Sequence, residues 1–294
     1  MDVLKRLLAA TDLSAPARHA VERGALVARA AGAGLDLVHV AGLSRVDELR
    51  RLVPGVPADV AARMREQSQM LVDALARTVR ERHGVDAGTH MASGPLLAAI
   101  ADRADATSAD LLVLGARGSS MLRHFVLGST AARLIDTSTR PLLVVKRPAL
   151  AAYRSVLVPV DFSDASLPAV QWARAVAPGA RLVLMHAYEA PFEGKLRVAG
   201  VEEQHLREYR DHALSEAQAQ MTALCTLAGL PANGSFQVFV HGPAVRRILE
   251  QEEEEDTDLI VMGRQGQSRI EDMLLGSVSR RVLAEADADV LVLP

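Results

Sequence analysis

Asp258-Leu259-Ile260-Val261-Met262-Gly263-Arg264-Gln265-Gly266, then nine residues, then Gly276-Ser277: the rest of the chain can be read outward from this stretch. A short apolar run closes on a glycine, a second glycine follows, and a third precedes a serine at the start of a helical pattern. That is the order strand, glycine loop, helix. The same spacing occurs upstream as Asp110 to Gly115, Arg117-Gly118, nine residues and Gly128-Ser129. Glycine at the strand exit permits positive φ, and the second glycine lets a ligand approach the backbone. The third glycine and its serine turn N–H groups, a hydroxyl and the positive end of a helix dipole toward an anion. A structural loop before a capped helix is the plainer reading of one copy; two copies at one spacing favour a phosphate site.

Around the first copy, Lys5 to Ala10 predicts a strand ending at Thr11-Asp12-Leu13-Ser14, then a helix to about Ala31 that Gly32 and Gly34 stop. Leu35 to Val40, with His39 near its end, predicts a second strand. A loop over 41–57 leads to a long helix from Ala58 to His83, and Val85 to Met91 is the third strand. Gly94-Pro95 turns into a short helix. Leu111 to Leu114 predicts the fourth strand, Ser129 to Asp136 a helix and Leu142 to Val145 the fifth strand. Strict alternation of strand and helix is the pattern of a parallel sheet covered on both faces.

From Ser155 the pattern begins again. Val156 to Val160 and Asp161-Phe162-Ser163 answer the first strand and Asp12-Leu13-Ser14, Leu182 to Ala187 with His186 answers the second strand, and Gly242-Pro243 answers Gly94-Pro95. A near-constant offset over a whole domain length is a duplication, not a solenoid repeat. The expected domains are 1–148 and 153–294, joined near Pro148 to Arg154.

The 294 residues are 49% hydrophobic and 23% charged, enough for a sizeable core in each half. The net charge of −3 conceals about +5 in residues 1–150 and about −8 in the remainder, so the halves attract electrostatically. With 3% aromatic residues and no strongly basic half, a nucleic-acid surface is not expected. The single Cys225 excludes an intrachain disulfide. The apolar Leu7 to Ala10 is too short for a signal peptide and meets Asp12, and no apolar run approaches a membrane span, so a cytoplasmic protein is expected.

With both glycine patterns and the Asp-x-Ser after each first strand in view, nearly the whole chain resembles a tandem universal stress protein. The spacing Gly-x2-Gly-x9-Gly-Ser resembles the ATP-binding branch of that family. The resemblance implies an α/β fold of two tandem doubly wound, Rossmann-like or flavodoxin-like domains, each a five-stranded parallel sheet of order 3-2-1-4-5 with helices on both faces. Ligands in such sheets sit at the carboxyl ends of the strands where the connections diverge.

Carried over residue by residue, the resemblance puts Asp12 and Asp161 on the adenosine part and Val40 and Ala187 beside the adenine. Gly115 and Gly263 approach the ribose. Arg117, Gly118, Gly128 and Ser129 in one half, and Gly266, Gly276 and Ser277 in the other, face the phosphates, with any Mg²⁺ arriving with them rather than on protein side chains. The second half keeps the family's proline two before the aspartate as Pro159; the first has Ala10. Arg117, Arg123 and His124 give the first loop a positive balance, whereas Arg264 and Arg269 of the second are opposed by Glu271 and Asp272. Both halves are therefore expected to bind, the first more tightly.

Other readings of single residues stay open. Asp12 and Asp161 could serve as helix N-caps, a role that Ser14 and Ser163 could equally fill. His39 and His186 read as packed, hydrogen-bonded histidines at strand ends. The run Glu250 to Asp256 reads as a solvated helix end or loop, although acids are unfavourable at a helix C-terminus. Trp172, Cys225, Met185, Met221, Met262 and Met273 read as packing or, for the cysteine, an exposed thiol.

There is no Gly-x4-Gly-Lys-Ser/Thr, Gly-x-Ser-x-Gly, His-Glu-x-x-His or paired-cysteine spacing. No general base is evident beside the glycine loops, so no catalytic residue is assigned and any hydrolysis is expected to be slow. The expectation is an ATP-binding sensor or regulator of stress physiology. A nucleotide-independent interaction scaffold and a nucleotide hydrolase are the alternatives. The short apolar strands Leu142 to Val145 and Val290 to Leu293 are expected at sheet edges, where by the resemblance they pair the two halves; a further homodimer and a protein partner are compatible with this.

Overall fold

The computed structural model describes residues 4–41, 59–116, 127–189, 198–231, 233–266 and 275–294. Arg117, Gly118, Arg123, His124, Arg269, Glu271, Asp272 and Met273 lie outside them, and so does the charge comparison between the two loops.

Each apolar run that alternates with a helical pattern becomes a strand. In the first half these are β1 (Arg6–Ala10), β2 (Gly34–Ala41), β3 (Ala87–Ser93), β4 (Leu111–Gly115) and β5 (Leu142–Val145). Between them lie α1 (Ala15–Ala31), α2 (Val60–His83), α3 (Leu96–Ala106) and α4 (Ser129–Thr137). The second half repeats this with β6 (Ser155–Pro159), α5 (Ser166–Val176), β7 (Arg181–Tyr188), α6 (Glu203–Leu227) and β8 (Phe236–His241). It continues through α7 (Ala244–Glu254), β9 (Leu259–Gly263), α8 (Ser277–Glu285) and β10 (Asp289–Leu293).

The helix ends have local causes. Ser14 accepts a hydrogen bond from the Ala17 N–H at 3.4 Å, and Pro16 occupies the first turn of α1, where its missing N–H costs nothing. Gly32 and Gly84 end α1 and α2 at φ 66° and 68°, the left-handed conformation that glycine adopts without a Cβ penalty.

The ten strands among the described residues form one sheet of order β3-β2-β1-β4-β5-β10-β9-β6-β7-β8, which is 3-2-1-4-5 in each half with the second half reversed. Neighbours within a half are parallel; β5 and β10 are antiparallel, with Val144 opposite Val290, Leu143 opposite Leu291 and Leu142 opposite Val292. Each half's edge strand is thereby covered by the other's, so β5 and β10 sit at the middle of the sheet.

Because strand side chains alternate, the sheet separates two cores. Leu7, Leu37, Val113, Leu143, Val158, Leu184, Val261 and Leu291 face one, where α1, α2, α5 and α6 pack. Leu8, Val38, Leu112, Val144, Leu157, Val183, Ile260 and Val290 face the other, shared with Ile100, Leu134, Ile248 and Val282 of α3, α4, α7 and α8. Both cores run across both halves. Trp172 and Cys225 pack against the first of them, and Met185, Met221 and Met262 are buried.

The acidic run is solvated only in part, and Gln251 and Glu252 depart from the expectation. Glu250 pairs with Arg246 and Arg247 at 2.7 Å each, and Glu255 with Arg181. Glu252 is buried, and its Oε1 accepts the backbone N–H groups of Asp287 and Ala288 at 2.8 and 2.5 Å. Glu250 and Glu255 are thus engaged by cations and Glu252 by the backbone of the segment entering β10, while Glu253, Glu254 and Asp256 are exposed. Among the described residues no helix is long and apolar enough to cross a membrane.

Candidate functional site

In the second half, β6 runs out at Pro159 beside β9, and the two strand exits build the site together. Val160 donates its N–H to the Met185 carbonyl at 2.7 Å, and its own carbonyl accepts from Nδ1 of His186 at 2.7 Å. Phe162 then takes φ 61°, unusual for a residue with a side chain, and its ring lies 4.5 Å from the His186 ring. Asp161, between these fixed points, accepts on Oδ1 from the Ser163 N–H (3.0 Å), the Ser163 hydroxyl (2.6 Å) and the Ser166 hydroxyl (3.2 Å). The first half repeats the frame: His39 Nδ1 donates to the Thr11 carbonyl at 2.8 Å, Leu13 has φ 65°, and Asp12 accepts from the Ser14 N–H at 3.0 Å.

This decides what the residues left open. Neither aspartate is a helix cap. Ser14 caps α1, whereas Ser163 is turned onto Asp161 and α5 starts without a side-chain cap. Both histidines are hydrogen-bonded at strand ends, and His186 additionally lines the cavity described below.

The glycine loop owes its glycines to close approach. Gly263 and Gly266 are absent from the positive-φ residues, and Gly128 and Gly276 have φ −62° and −59°, so the expected left-handed strand exit is not what selects glycine. A Cβ on Gly263 would lie 2.6 Å from the Ala165 Cβ, and one on Gly266 would collide with Asp161 Oδ2. A Cβ on Gly276 would lie 3.2 Å from the Arg264 carbonyl oxygen. The loop therefore seats directly on the β6–α5 connection. Its path is held by Arg264 N–H to Leu293 O at 2.7 Å, Gly276 N–H to Arg264 O at 2.9 Å and the Ser279 hydroxyl to Gly263 O at 2.9 Å. The first half has the matching bonds Ala116 N–H to Val145 O and Gly128 N–H to Ala116 O, both 2.8 Å.

Gly276 and Gly128 occupy the N-cap positions of α8 and α4, with Ser277 and Ser129 as the first helical residues and no side-chain cap at either end. The first-turn N–H groups thus face outward under the positive end of the dipole. In the second half they border a cavity of about 550 Å³, within the range of small-ligand sites. Asp161, Ala187, Gly263, Gly266, Gly276 and Ser277, all six second-half candidates, line it together with Ser163, Ser166, His186 and Gln265.

In the first half Gly115 ends β4 next to β1, where Ala9 is level with Val113, which brings Asp12, on the exit of β1, to the same sheet end. Val40 lies near the end of β2 and Gly128-Ser129 at the start of α4. Among the described residues no cluster of three or more His, Cys, Asp or Glu is placed to hold a metal ion. The sequence offered Ser163 only as a possible helix cap and gave no sign of Ser166 on Asp161 or of the Ser279 bond to Gly263; the local signal was the recurring Asp-x-Ser.

A model of the universal stress protein family matches residues 4–146 and again 152–294. A universal stress protein of Thermus aquaticus is 34% identical over 142 residues, 48% of this chain and 98% of its own. One from Mycolicibacterium smegmatis is 30% identical over 240 residues, 77% of this chain and 74% of its own. The crystal structure of a universal stress protein from Archaeoglobus fulgidus superposes with a TM-score of 0.68 at 21% identity, over 98% of this chain and 97% of that one. This last likeness is one of fold.

Proposed function

The chain belongs to the universal stress protein family, and from that premise we propose that it binds ATP and acts in the cytoplasm as a nucleotide-dependent sensor or regulator of stress physiology. The observation that carries the proposal is the meeting of all six second-half candidates in one cavity at the uncapped start of α8. Helix N–H groups and the dipole suit phosphate, and a carboxylate already oriented by two serines suits the hydroxyls of a ribose.

In this reading Asp161 receives the sugar hydroxyls and Ala187 lies beside the base. Gly263 approaches the ribose, and Gly266, Gly276 and Ser277 take the phosphates. Asp12, Val40, Gly115, Gly128 and Ser129 do the same in the first half, with Arg117 and Gly118 completing its loop. Mg²⁺ enters on the phosphates. The Asp161 carboxylate is committed to Ser163 and Ser166, so we assign no general base, and turnover is slow or absent. The domains are taken as 1–148 and 153–294. Since β5 and β10 are already paired, a homodimer of this chain would use another surface.

The test is to denature freshly purified protein and identify released nucleotide by mass spectrometry, with titration by ATP and Mg²⁺ where none is carried. About two nucleotides per chain are expected, one lost in Gly128→Leu and one in Gly276→Leu, as a phosphate site at each helix start requires. A chain that binds no nucleotide in either experiment overturns the reading and leaves an interaction scaffold.

A further inference from the structure

α4 and α8, the helices whose N-termini face the proposed phosphates, carry no basic residue in their last turns. A helix C-terminus gathers unsatisfied carbonyls and partial negative charge, and a nearby cation stabilises it. In both helices that cation comes from the opposite half. Arg264, the second residue of the second-half glycine loop, holds Nη1 3.4 Å from each of the carbonyl oxygens of Ile135, Asp136 and Ser138 at the end of α4. Lys146, which follows β5, donates from Nζ to the Ala286 carbonyl at the end of α8 at 2.5 Å.

Each cation is also tied by the backbone to its own half's glycine loop. Arg264 lies between Gly263 and Gln265, which line the cavity, and its carbonyl accepts the N–H of Gly276 at the start of α8. Lys146 adjoins Val145, whose carbonyl accepts the N–H of Ala116, and Ala116 in turn accepts the N–H of Gly128 at the start of α4. The wiring is crossed: the loop at the head of one phosphate helix holds the cation at the tail of the other.

We propose that this crossed arrangement couples the two nucleotide sites, so that filling one raises the affinity of the other. The inference rests on the nucleotide reading above. Nucleotide on the second-half loop fixes the Arg264 backbone between β10 and α8, and hence its guanidinium over the end of α4. α4 has nine residues, too few to be stable without tertiary support, so securing its C-terminus pre-orders the N–H groups at its N-terminus. The Lys146 contact at the end of α8 is a second link of the same kind, and thermodynamic reciprocity makes each link act in both directions. All three Arg264 contacts are at the long end of the hydrogen-bond range, so the guanidinium acts mainly as a charge. The expected coupling is about three- to tenfold in affinity.

The experiment titrates the full chain with ATP and Mg²⁺ by calorimetry as wild type, Ala187→Trp (which fills the second-half cavity), Arg264→Gln and the double variant. Ala187→Trp should weaken first-half binding by about three- to tenfold, and in the Arg264→Gln background, where only the Lys146 contact remains, the weakening should be smaller. Hydrogen exchange of the α4 amides should be faster in ligand-free Arg264→Gln. Should Arg264→Gln fail to fold, Lys146→Gln reads the same coupling from the other side, with the first site closed by Val40→Trp. Two sites that bind while first-half affinity is unchanged or raised by Ala187→Trp overturn the coupling and leave the nucleotide reading standing. Absence of binding in the wild type overturns both.

Discussion

Replacing Asp289 with alanine removes an acceptor on which four groups from both halves converge. Asp289, 1% exposed at the start of β10, accepts the N–H groups of Lys146 and Arg147 at 2.7 and 3.2 Å and the Tyr153 hydroxyl at 2.8 Å. Arg23 of α1 places Nε 3.0 Å from Oδ2, close enough for an ion pair although Nε–H is not aligned as a hydrogen bond. The guanidinium also donates to the Ala151 carbonyl at 2.7 Å and lies 4.1 Å above the Tyr153 ring. Alanine at 289 would leave a buried cation without its anion and a buried phenol without its acceptor. Removing one partner of such a pair costs about 3–5 kcal/mol.

Asp289→Asn keeps an acceptor and loses the charge, so a smaller loss of about 2 kcal/mol is expected. Arg23→Met with Asp289→Leu removes both charges and should recover only the part due to the unpaired guanidinium, since the Tyr153 hydroxyl and the Lys146 and Arg147 N–H groups still lose their acceptor. Urea unfolding followed by circular dichroism reads all three. A loss below about 1 kcal/mol for Asp289→Ala, the range of an exposed pair, would refute the assignment of this cluster as the buried lock between the halves. Burial, and then the Asp289 charge, push the Tyr153 phenol well above 10.0. Its folded value is raised, so its contribution is present below the unfolded value and is lost as pH rises through the folded one.

Two further outcomes follow from other sites. Burial raises the Glu252 carboxyl above 4.5, against the lowering effect of the Ala288 and Asp287 N–H groups, so its contribution to stability is present at low pH and is lost as pH rises through the folded value. Glu252→Gln can keep the acceptor without that ionisation; its stability relative to wild type should rise as the pH climbs above 4.5, and a flat difference in urea melts would contradict this. Gly263→Ala presses a methyl against Ala165 and should cost about 1–3 kcal/mol, and Gly266→Ala pushes the Asp161 carboxylate off its bonds to Ser163 and Ser166 and should cost a similar amount while weakening ATP binding. Wild-type melting temperatures in the two variants would contradict the close-approach account of the loop.

Much of this molecule is written in local sequence. Alternation of apolar runs with helical patterns marked nine of the ten described strands, each to within two residues, because strand and helix periodicities and glycine, proline and serine punctuation act over a few positions; β8 was given no range and followed only from the repeat. The duplication likewise followed from spacing alone, and it brought the second-half candidates into one cavity since identical strand order carries identical strand exits to the same sheet end. What the tertiary structure alone decided depends on residues far apart in the chain. The register of β5 against β10, Glu252 under the entry to β10, Arg23 against Asp289 and Arg264 over the end of α4 each join segments with no shared local pattern. The loop glycines show the division at single residues. Spacing found Gly263 and Gly266, but the reason for glycine lay in Ala165 and Asp161, which only the packing of β6 beside β9 sets against them.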